Sequence, residues 1–321
     1  MTEKTGWLAW PMVWMFLMAV CGWASPPAAT LPVPDASFEN FTTQHYRFFI
    51  ASESDAAGRE VVRDLEALWS FYRSTLGAIL PLRPDPGRVT VYYFTHPRQM
   101  ASFLRQIPAA ELDASFPGLP RSSREGFMVM DASGLLGRSD LAIILHGAAH
   151  LCHERFLYDD GVSGSWWVRE GLASYFMQTR FDRDDRFRYG EIRSSEGYIE
   201  DISPGGRTAS RFTLAEEPKR ELKKIRSLYK QGRHIPLAEL LDHPAGAAWP
   251  DLETRDRAAV ESWILMHFLV HGQRGELRER LALFLERERH GEGGKETFRK
   301  TISGDLRVFE AVMYRYVKRM A

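Results

Sequence analysis

Two histidines and a glutamate are the residues of this sequence best suited to chemistry. His146 and His150 are four positions apart in the apolar stretch LAIILHGAAHLC, and Glu170 follows 20 positions after the second histidine. In a helix, both imidazoles would lie on one face, about 6 Å apart along the axis. Neutral imidazole is the commonest metal ligand, and a third ligand from a neighbouring helix would complete a catalytic-type zinc site with an open fourth position. The spacing therefore predicts a metal centre made of His146, His150 and Glu170.

Two adjacent helices must carry these three side chains. Ser139 can cap a helix that runs through both histidines, because its hydroxyl can accept a hydrogen bond from the first helical turn. Trp166 and Trp167 begin a second helix, which carries Glu170. We expect the two indole rings to wedge between the site helices.

The rest of the chain alternates strands and helices before it becomes helical. Runs rich in β-branched and aromatic residues predict three strands, at Tyr46–Ala51, Val89–Phe94 and Gly126–Met130. Apolar residues at helical spacing predict three closing helices, at Ala258–Val270, Leu277–Arg289 and Asp305–Met320. This order predicts an α+β fold with a small mixed sheet, a helical second half and the metal cleft between them.

The composition allows one sizeable core or two. The chain has 321 residues, of which 44% are hydrophobic. We interpret residues 38–200 as the α+β domain that holds the site helices and residues 201–321 as a mainly helical C-terminal part. With 42 basic and 42 acidic residues the formal net charge is zero, so no nucleic-acid partner is expected, since such proteins usually carry a basic excess.

The N-terminal segment reads as an export signal. Lys4 precedes the apolar run Trp7–Ala24, and the small residues Gly22 and Ala24 occupy the −3 and −1 positions of a cut before Ser25. Residues 1–24 are therefore interpreted as a signal peptide, which predicts a periplasmic or secreted protein without a membrane span after cleavage. Pro- and Ala-rich residues 25–37 would form a linker.

Two alternatives for the N-terminus remain open. The apolar run approaches spanning length and could anchor the protein uncleaved, although Pro11 interrupts it. A lipidated Cys21 is the other alternative, with Val20 before it a poor fit to such a site. After cleavage Cys152 is the one remaining cysteine, so no internal disulfide is expected.

The segment Leu141–Phe176 resembles the gluzincin metallopeptidases. In that family H-E-x-x-H on one helix is followed by a glutamate on the next. The segment is similar, more narrowly, to the bacterial peptidase MA-like group and to the related domain of unknown function numbered 1570, whose downstream helix typically begins with Trp and reads E-G-x-A-x-Y-F. The resemblance implies a zincin-like fold and a Zn²⁺ ion held by His146, His150 and Glu170.

The resemblance also assigns the neighbouring positions. Trp167, Gly171, Ala173 and Tyr175 match the packing part of the motif. The strand Gly126–Met130 would be the sheet edge along which an extended peptide lies. A peptide or an envelope protein in the cleft is therefore the expected partner.

The sequence departs from the family at the position that matters most for catalysis. The family has Glu after the first histidine, where it serves as general base for the attacking water, and this chain has Gly147. A degenerate or non-catalytic metallopeptidase homologue is therefore expected. The alternative is an active zinc-dependent peptidase whose base comes from elsewhere, with Asp159, Asp160 and Glu191 as the candidates. Glu154 lies seven residues after Gly147, about 10 Å along the helix, which is too far to act at the same metal.

Other residues near the site allow further interpretations. Ser174 replaces an Asp that orients a histidine ligand in some gluzincins. Cys152 and His153 could form a different metal cluster with His150, but we expect Cys152 to pack as a small buried residue and His153 to face solvent. Tyr175 could stabilise an oxyanion, with core packing as the other interpretation.

Two further patterns occur outside the Leu141–Phe176 segment. His267 and His271 repeat the i, i+4 spacing, but no third ligand follows, so we interpret them as core residues; alternatively, His267 could face the cleft. The charged stretch Arg180–Arg193 is interpreted as a solvated helix face or loop rather than a substrate-binding segment.

Overall fold

The computed structural model describes residues 38–51, 55–85, 87–94, 97–107, 127–131, 138–159, 161–177, 179–181, 187–189, 216–244 and 249–319. The interpretations for residues 1–24 and 25–37 therefore lie outside the described residues. None of the helices within the described ranges is long and apolar enough to cross a membrane.

A four-stranded mixed sheet lies at the start of the described chain. Its order is β1-β2-β3-β4, for strands at Phe38–Thr42, Tyr46–Ala51, Val89–Phe94 and Phe127–Asp131. The first pair is antiparallel and the other two pairs are parallel. The three predicted strands are confirmed, and β1 was not predicted. β4 pairs with β3 and lies at the end of the described sheet.

Helices make up most of the remaining structure. The first four are α1 (Asp55–Gly77), α2 (Pro97–Leu104), α3 (Arg138–Cys152) and α4 (Trp166–Met177). A short hairpin follows, with β5 at Thr179–Phe181 and β6 at Phe187–Tyr189. The C-terminal helices are α5 (Glu216–Lys230), α6 (Leu237–Asp242), α7 (Leu252–His271), α8 (Arg278–Arg289), α9 (Lys295–Thr301) and α10 (Leu306–Arg319). The mixed α+β class is thus confirmed.

The hairpin corrects one sequence interpretation. The stretch Arg180–Arg193 was expected to be a solvated helix face or loop, but it contains most of β5 and all of β6. Phe181 pairs with Phe187, and Arg180 pairs with Arg188. The strands therefore contain aromatic as well as charged residues. The sequence interpretation considered only the charges and so missed the strands.

One hydrophobic core joins the two parts of the chain that the sequence suggested. Its buried residues run from Tyr46 on β2, through Trp69 and Tyr72 on α1, to Phe268 on α7 and Val317 on α10. The core places α4 between α3 and α7, so the second site helix is held on both sides.

α4 and α7 approach each other closely at Gly171. A Cβ atom added at this position would lie 2.7 Å from the backbone oxygen of Ser262 and 3.3 Å from the Cβ of Met266. Glycine is therefore required here for the helix axes to come this close. The match of Gly171 to the packing part of the motif has a physical reason in this contact.

Glu261 is a buried carboxyl of α7 that makes stability depend on pH. Burial raises the pKa of Glu261 to about 8, while the Ile235 backbone N–H donates to its carboxylate at 3.1 Å. Its unfolded pKa is near 4.5, so the folded state binds more protons between these values and stability falls as pH rises through them. We expect Glu261→Gln to remove this loss of unfolding free energy, which amounts to at most about 1.4 kcal/mol per pH unit.

Urea unfolding between about pH 5 and pH 8 measures this effect as the difference between variant and wild type. The exposed Glu279 of α8 provides the matched control, Glu279→Gln, for which no such difference is expected. Wild-type and Glu261→Gln stabilities that run parallel across this range would contradict the assignment.

Candidate metal centre

The helix α3 presents both histidines from a largely buried face. Leu145, Ala148 and Ala149 are at most 2% exposed, and they anchor this helix in the core. On the face of α3 that carries the pair, the side chain of His150 is 4% exposed and that of His146 is 15% exposed. The two rings therefore differ in depth, and His146 marks the side nearer to solvent.

A π-helical turn follows α3 directly. It spans His153–Leu157, and the Tyr158 N–H donates to the His153 carbonyl at 3.2 Å. π-helical turns are rare and are frequently found at functional sites. Here the turn directs His153 inward, where its Nδ1 lies 2.7 Å from the Tyr72 hydroxyl.

The second site helix, α4, brings the carboxylate. Glu170 is 7% exposed, and the residues two positions before and after it, Val168 and Leu172, are also buried. The preceding Arg169 forms an ion pair with Glu154 at 3.1 Å, which links α4 to the π-helical turn. Glu170 is thereby held at the interface of α4 and α3.

The ligand atoms of His146, His150 and Glu170 lie close enough together to share one metal ion. The Nε2 atoms of His146 and His150 are 3.1 Å apart. One Glu170 carboxylate oxygen, Oε2, lies 3.4 Å from the His146 Nε2, and the other, Oε1, lies 3.6 Å from the His150 Nε2. Ligands about 2.0–2.1 Å from Zn²⁺ at tetrahedral angles are about 3.3–3.4 Å apart. The residues predicted from the sequence therefore converge and fit one ion.

The protonation state of the deepest ligand also suits a metal. Burial, and then the neighbouring His146, lower the pKa of His150 well below its usual value. The ring is therefore neutral at neutral pH, which is the form that coordinates metals. Within the described part of the chain, His146, His150 and Glu170 are the one group of three or more metal-binding side chains close enough to share an ion.

The position next to the first histidine carries no acid or base. Gly147 is buried, and its backbone is part of α3. The Glu154 carboxylate, which was excluded as a replacement base by its distance along the helix, is paired with Arg169. The Asp159 carboxylate lies 2.6 Å from the His290 Nδ1. Asp160 and Glu191 lie outside the described residues.

The alternative cluster of Cys152, His153 and His150 does not form. Neither Cys152 nor His153 belongs to the metal-binding group found among the described residues. Cys152 is fully buried, as expected, and burial raises the pKa of its thiol. The prediction that His153 faces solvent was wrong, because the π-helical turn buries it completely.

The second histidine pair belongs to a buried cluster with two tyrosines. Nδ1 of His267 lies 2.7 Å from the Tyr316 hydroxyl, and Nε2 of His271 lies 2.9 Å from the Tyr175 hydroxyl. Burial lowers the pKa of His267 to about 4. The interpretation of the pair as core residues is confirmed for His267, which is 4% exposed. Tyr175 is 3% exposed, which agrees with core packing, and an oxyanion role for its hydroxyl stays a prediction.

The remaining motif positions pack toward the C-terminal helices. The Trp167 ring contacts Phe284 and Phe298, at centroid distances of 5.2 and 5.9 Å. The Trp166 ring contacts Trp249 at 5.2 Å. These contacts lie outside the α3–α4 interface, so the wedge between the site helices stays a prediction. Ala173 and Ser174 are buried on the same helix.

Sequence reasoning missed the residues that fix the site from a distance. Tyr72 is 81 positions from His153, and Glu288 is 123 positions from Ser165, which its carboxylate contacts. Hydrophobic periodicity does not reveal contacts between residues so far apart in the sequence, because it reports only which face of a helix or strand is buried. Glu288 lies between Arg287 and Arg289 in a charged run, so its sequence neighbours give no sign that its side chain is buried.

Comparison with known proteins leaves the family open, since no family model and no curated protein matches this chain.

Proposed function

We propose that this chain is an exported gluzincin-like protein that holds Zn²⁺ with His146, His150 and Glu170 and binds peptide without cutting it. The observation that supports it most directly is the close approach of the three side chains, with 3.1 Å between the two histidine nitrogens and 3.4 and 3.6 Å from these nitrogens to the Glu170 carboxylate, next to a glycine. The three side chains supply the ligand atoms that metal binding needs. Gly147 has no carboxylate to serve as the general base that hydrolysis needs.

The donor set favours zinc over harder cations. Two imidazole nitrogens and one carboxylate suit Zn²⁺ and other late first-row ions, whereas Ca²⁺ and Mg²⁺ prefer oxygen ligands throughout. When bound, the ion supplies an electrophilic centre for a carbonyl or carboxylate of a peptide. The fold keeps His150 neutral by burying it, and α4 orients Glu170. The side chain of His146 stays partly exposed to solvent.

The sheet supports the peptide half of the proposal. β4 has β3 as its one neighbour in the described sheet, so an extended peptide could add there through main-chain hydrogen bonds. Such bonds recognise backbone rather than particular side chains. An unstructured peptide or an exposed tail of an envelope protein is therefore the proposed ligand, and export rests on the signal-like residues 1–24.

The test is metal-dependent peptide binding without turnover. We expect zinc-loaded protein to bind a labelled unstructured peptide, and His150→Ala to weaken that binding at least about tenfold by removing a metal ligand. Fluorescence anisotropy measures binding, and mass spectrometry checks that the peptide stays intact.

Two outcomes would contradict the proposal. Chelator-sensitive cleavage that His150→Ala abolishes would favour the alternative, an active zinc peptidase with a base from elsewhere. Purified wild-type protein that takes up no zinc would leave both histidines as core residues of a protein with another function.

A further inference from the structure

The connection between the two site helices is held by the C-terminal end of α8. The Arg289 side chain donates to the Leu157 carbonyl at 3.1 Å, and the Asp159 N–H donates to the Arg289 carbonyl at 3.1 Å. Next to Arg289, Glu288 contacts Ser165, the residue directly before α4. The segment that sets the spacing of α3 and α4 is thus fixed by a helix more than 100 positions away.

Glu288 binds the start of α4 with both carboxylate oxygens. The Ser165 backbone N–H donates to one oxygen, and the Ser165 hydroxyl donates to the other at 2.8 Å. The Ser165 carbonyl in turn accepts from the N–H groups of Val168 and Arg169, at 3.1 and 3.2 Å. The carboxylate therefore lies at the N-terminal end of α4, where the helix dipole favours negative charge.

The burial of Glu288 argues for a specific role. The residue is 1% exposed, and no basic side chain among the described residues forms an ion pair with it. A buried carboxylate is costly unless hydrogen bonds compensate it, and here Ser165 provides them. Gly293 provides the room, since a Cβ there would overlap the Glu288 carboxylate and lie 2.9 Å from the Ser165 hydroxyl oxygen.

We propose that Glu288 is a positioning residue for the metal centre, which sets the height and rotation of α4 and thereby aims Glu170 at His146 and His150. This inference rests on the proposed zinc site. Glu170 is five residues after Ser165, about 7.5 Å along the axis, and each residue of slip would rotate α4 by about 100°. Metal ligands tolerate errors of about 0.2 Å, so the start of the helix must be fixed.

The test compares variants that remove, keep or displace the carboxylate. Glu288→Ala is expected to weaken zinc binding about 10- to 100-fold, as loss of an outer-shell residue typically does. Glu288→Gln is expected to recover most of the affinity, because its amide can still accept from the Ser165 N–H and donate to the hydroxyl. Gly293→Ala should weaken binding with Glu288 in place, and Glu279→Ala, on an exposed part of α8, is the matched control.

Two measurements separate positioning from general stability. Zinc affinity is measured by chelator competition at a temperature where circular dichroism shows each variant fully folded. The absorption spectrum of the Co²⁺-substituted protein reports the ligand geometry, and we expect Glu288→Ala and Gly293→Ala to change it.

Wild-type affinity and an unchanged cobalt spectrum in both variants, even with lower melting temperatures, would overturn the positioning role while leaving the zinc site intact. A wild-type protein without zinc would instead refute the proposed function, and the two failures are therefore distinguishable.

Discussion

Gly147→Glu is expected to create peptidase activity, raising the rate of peptide hydrolysis about 10²- to 10⁴-fold over the wild-type protein. The nitrogen and carboxylate atoms of His146, His150 and Glu170 lie 3.1 to 3.6 Å apart, which suits the zinc ion proposed above. A glutamate directly after His146 would restore the group that takes a proton from the attacking water in gluzincins. The substitution also removes a glycine from a helix interior, which favours the helix by about 1 kcal/mol.

The controls separate the base from other effects of a larger side chain. Gly147→Gln has nearly the same size and no basic carboxylate, so it should stay inactive with normal zinc content. Gly147→Glu combined with His150→Ala should lose the new activity, because the metal is no longer held. Cleavage of an unstructured fluorogenic peptide is the measurement. An inert Gly147→Glu variant with wild-type zinc content would show that the site geometry does not support hydrolysis.

The convergence of the three candidate ligands could be predicted because helical periodicity places them. His146 and His150 share a face of α3 at i, i+4, and the pattern around Glu170 predicted a second helix that the structure has at Trp166–Met177. The strands Tyr46–Ala51 and Val89–Phe94 were equally visible, because short β-branched and aromatic runs are typical of buried strands. Local patterns were sufficient for these elements.

The parts that could not be predicted depend on tertiary contacts. β1 exists because Phe38–Thr42 pairs with β2, although its own residues alternate only weakly. His153 was expected at the surface, since a regular helix would place it differently from the π-helical turn that buries it. Glu288 looked like any helical glutamate until its contact with Ser165 was known. In each case the deciding partner lies elsewhere in the fold.

Removal of zinc is expected to destabilise the protein. The ion would link α3 to α4, and it would bind the folded state but not the unfolded state. With free zinc about 1,000-fold above the dissociation constant, binding contributes about 4 kcal/mol to the free energy of unfolding. At about 2 °C per kcal/mol for a chain of this size, the Tm should fall by about 8 °C when a chelator strips the ion.

The second histidine pair provides the control for this effect. His150→Ala should have a Tm that no longer responds to zinc, because a ligand is missing. His271→Ala loses the hydrogen bond to Tyr175 and should start from a lower Tm, yet its zinc-dependent rise should equal that of wild type. Differential scanning calorimetry with and without chelator measures all three proteins. A zinc response lost in His271→Ala and kept in His150→Ala would place the ion at α7, away from the interface between α3 and α4.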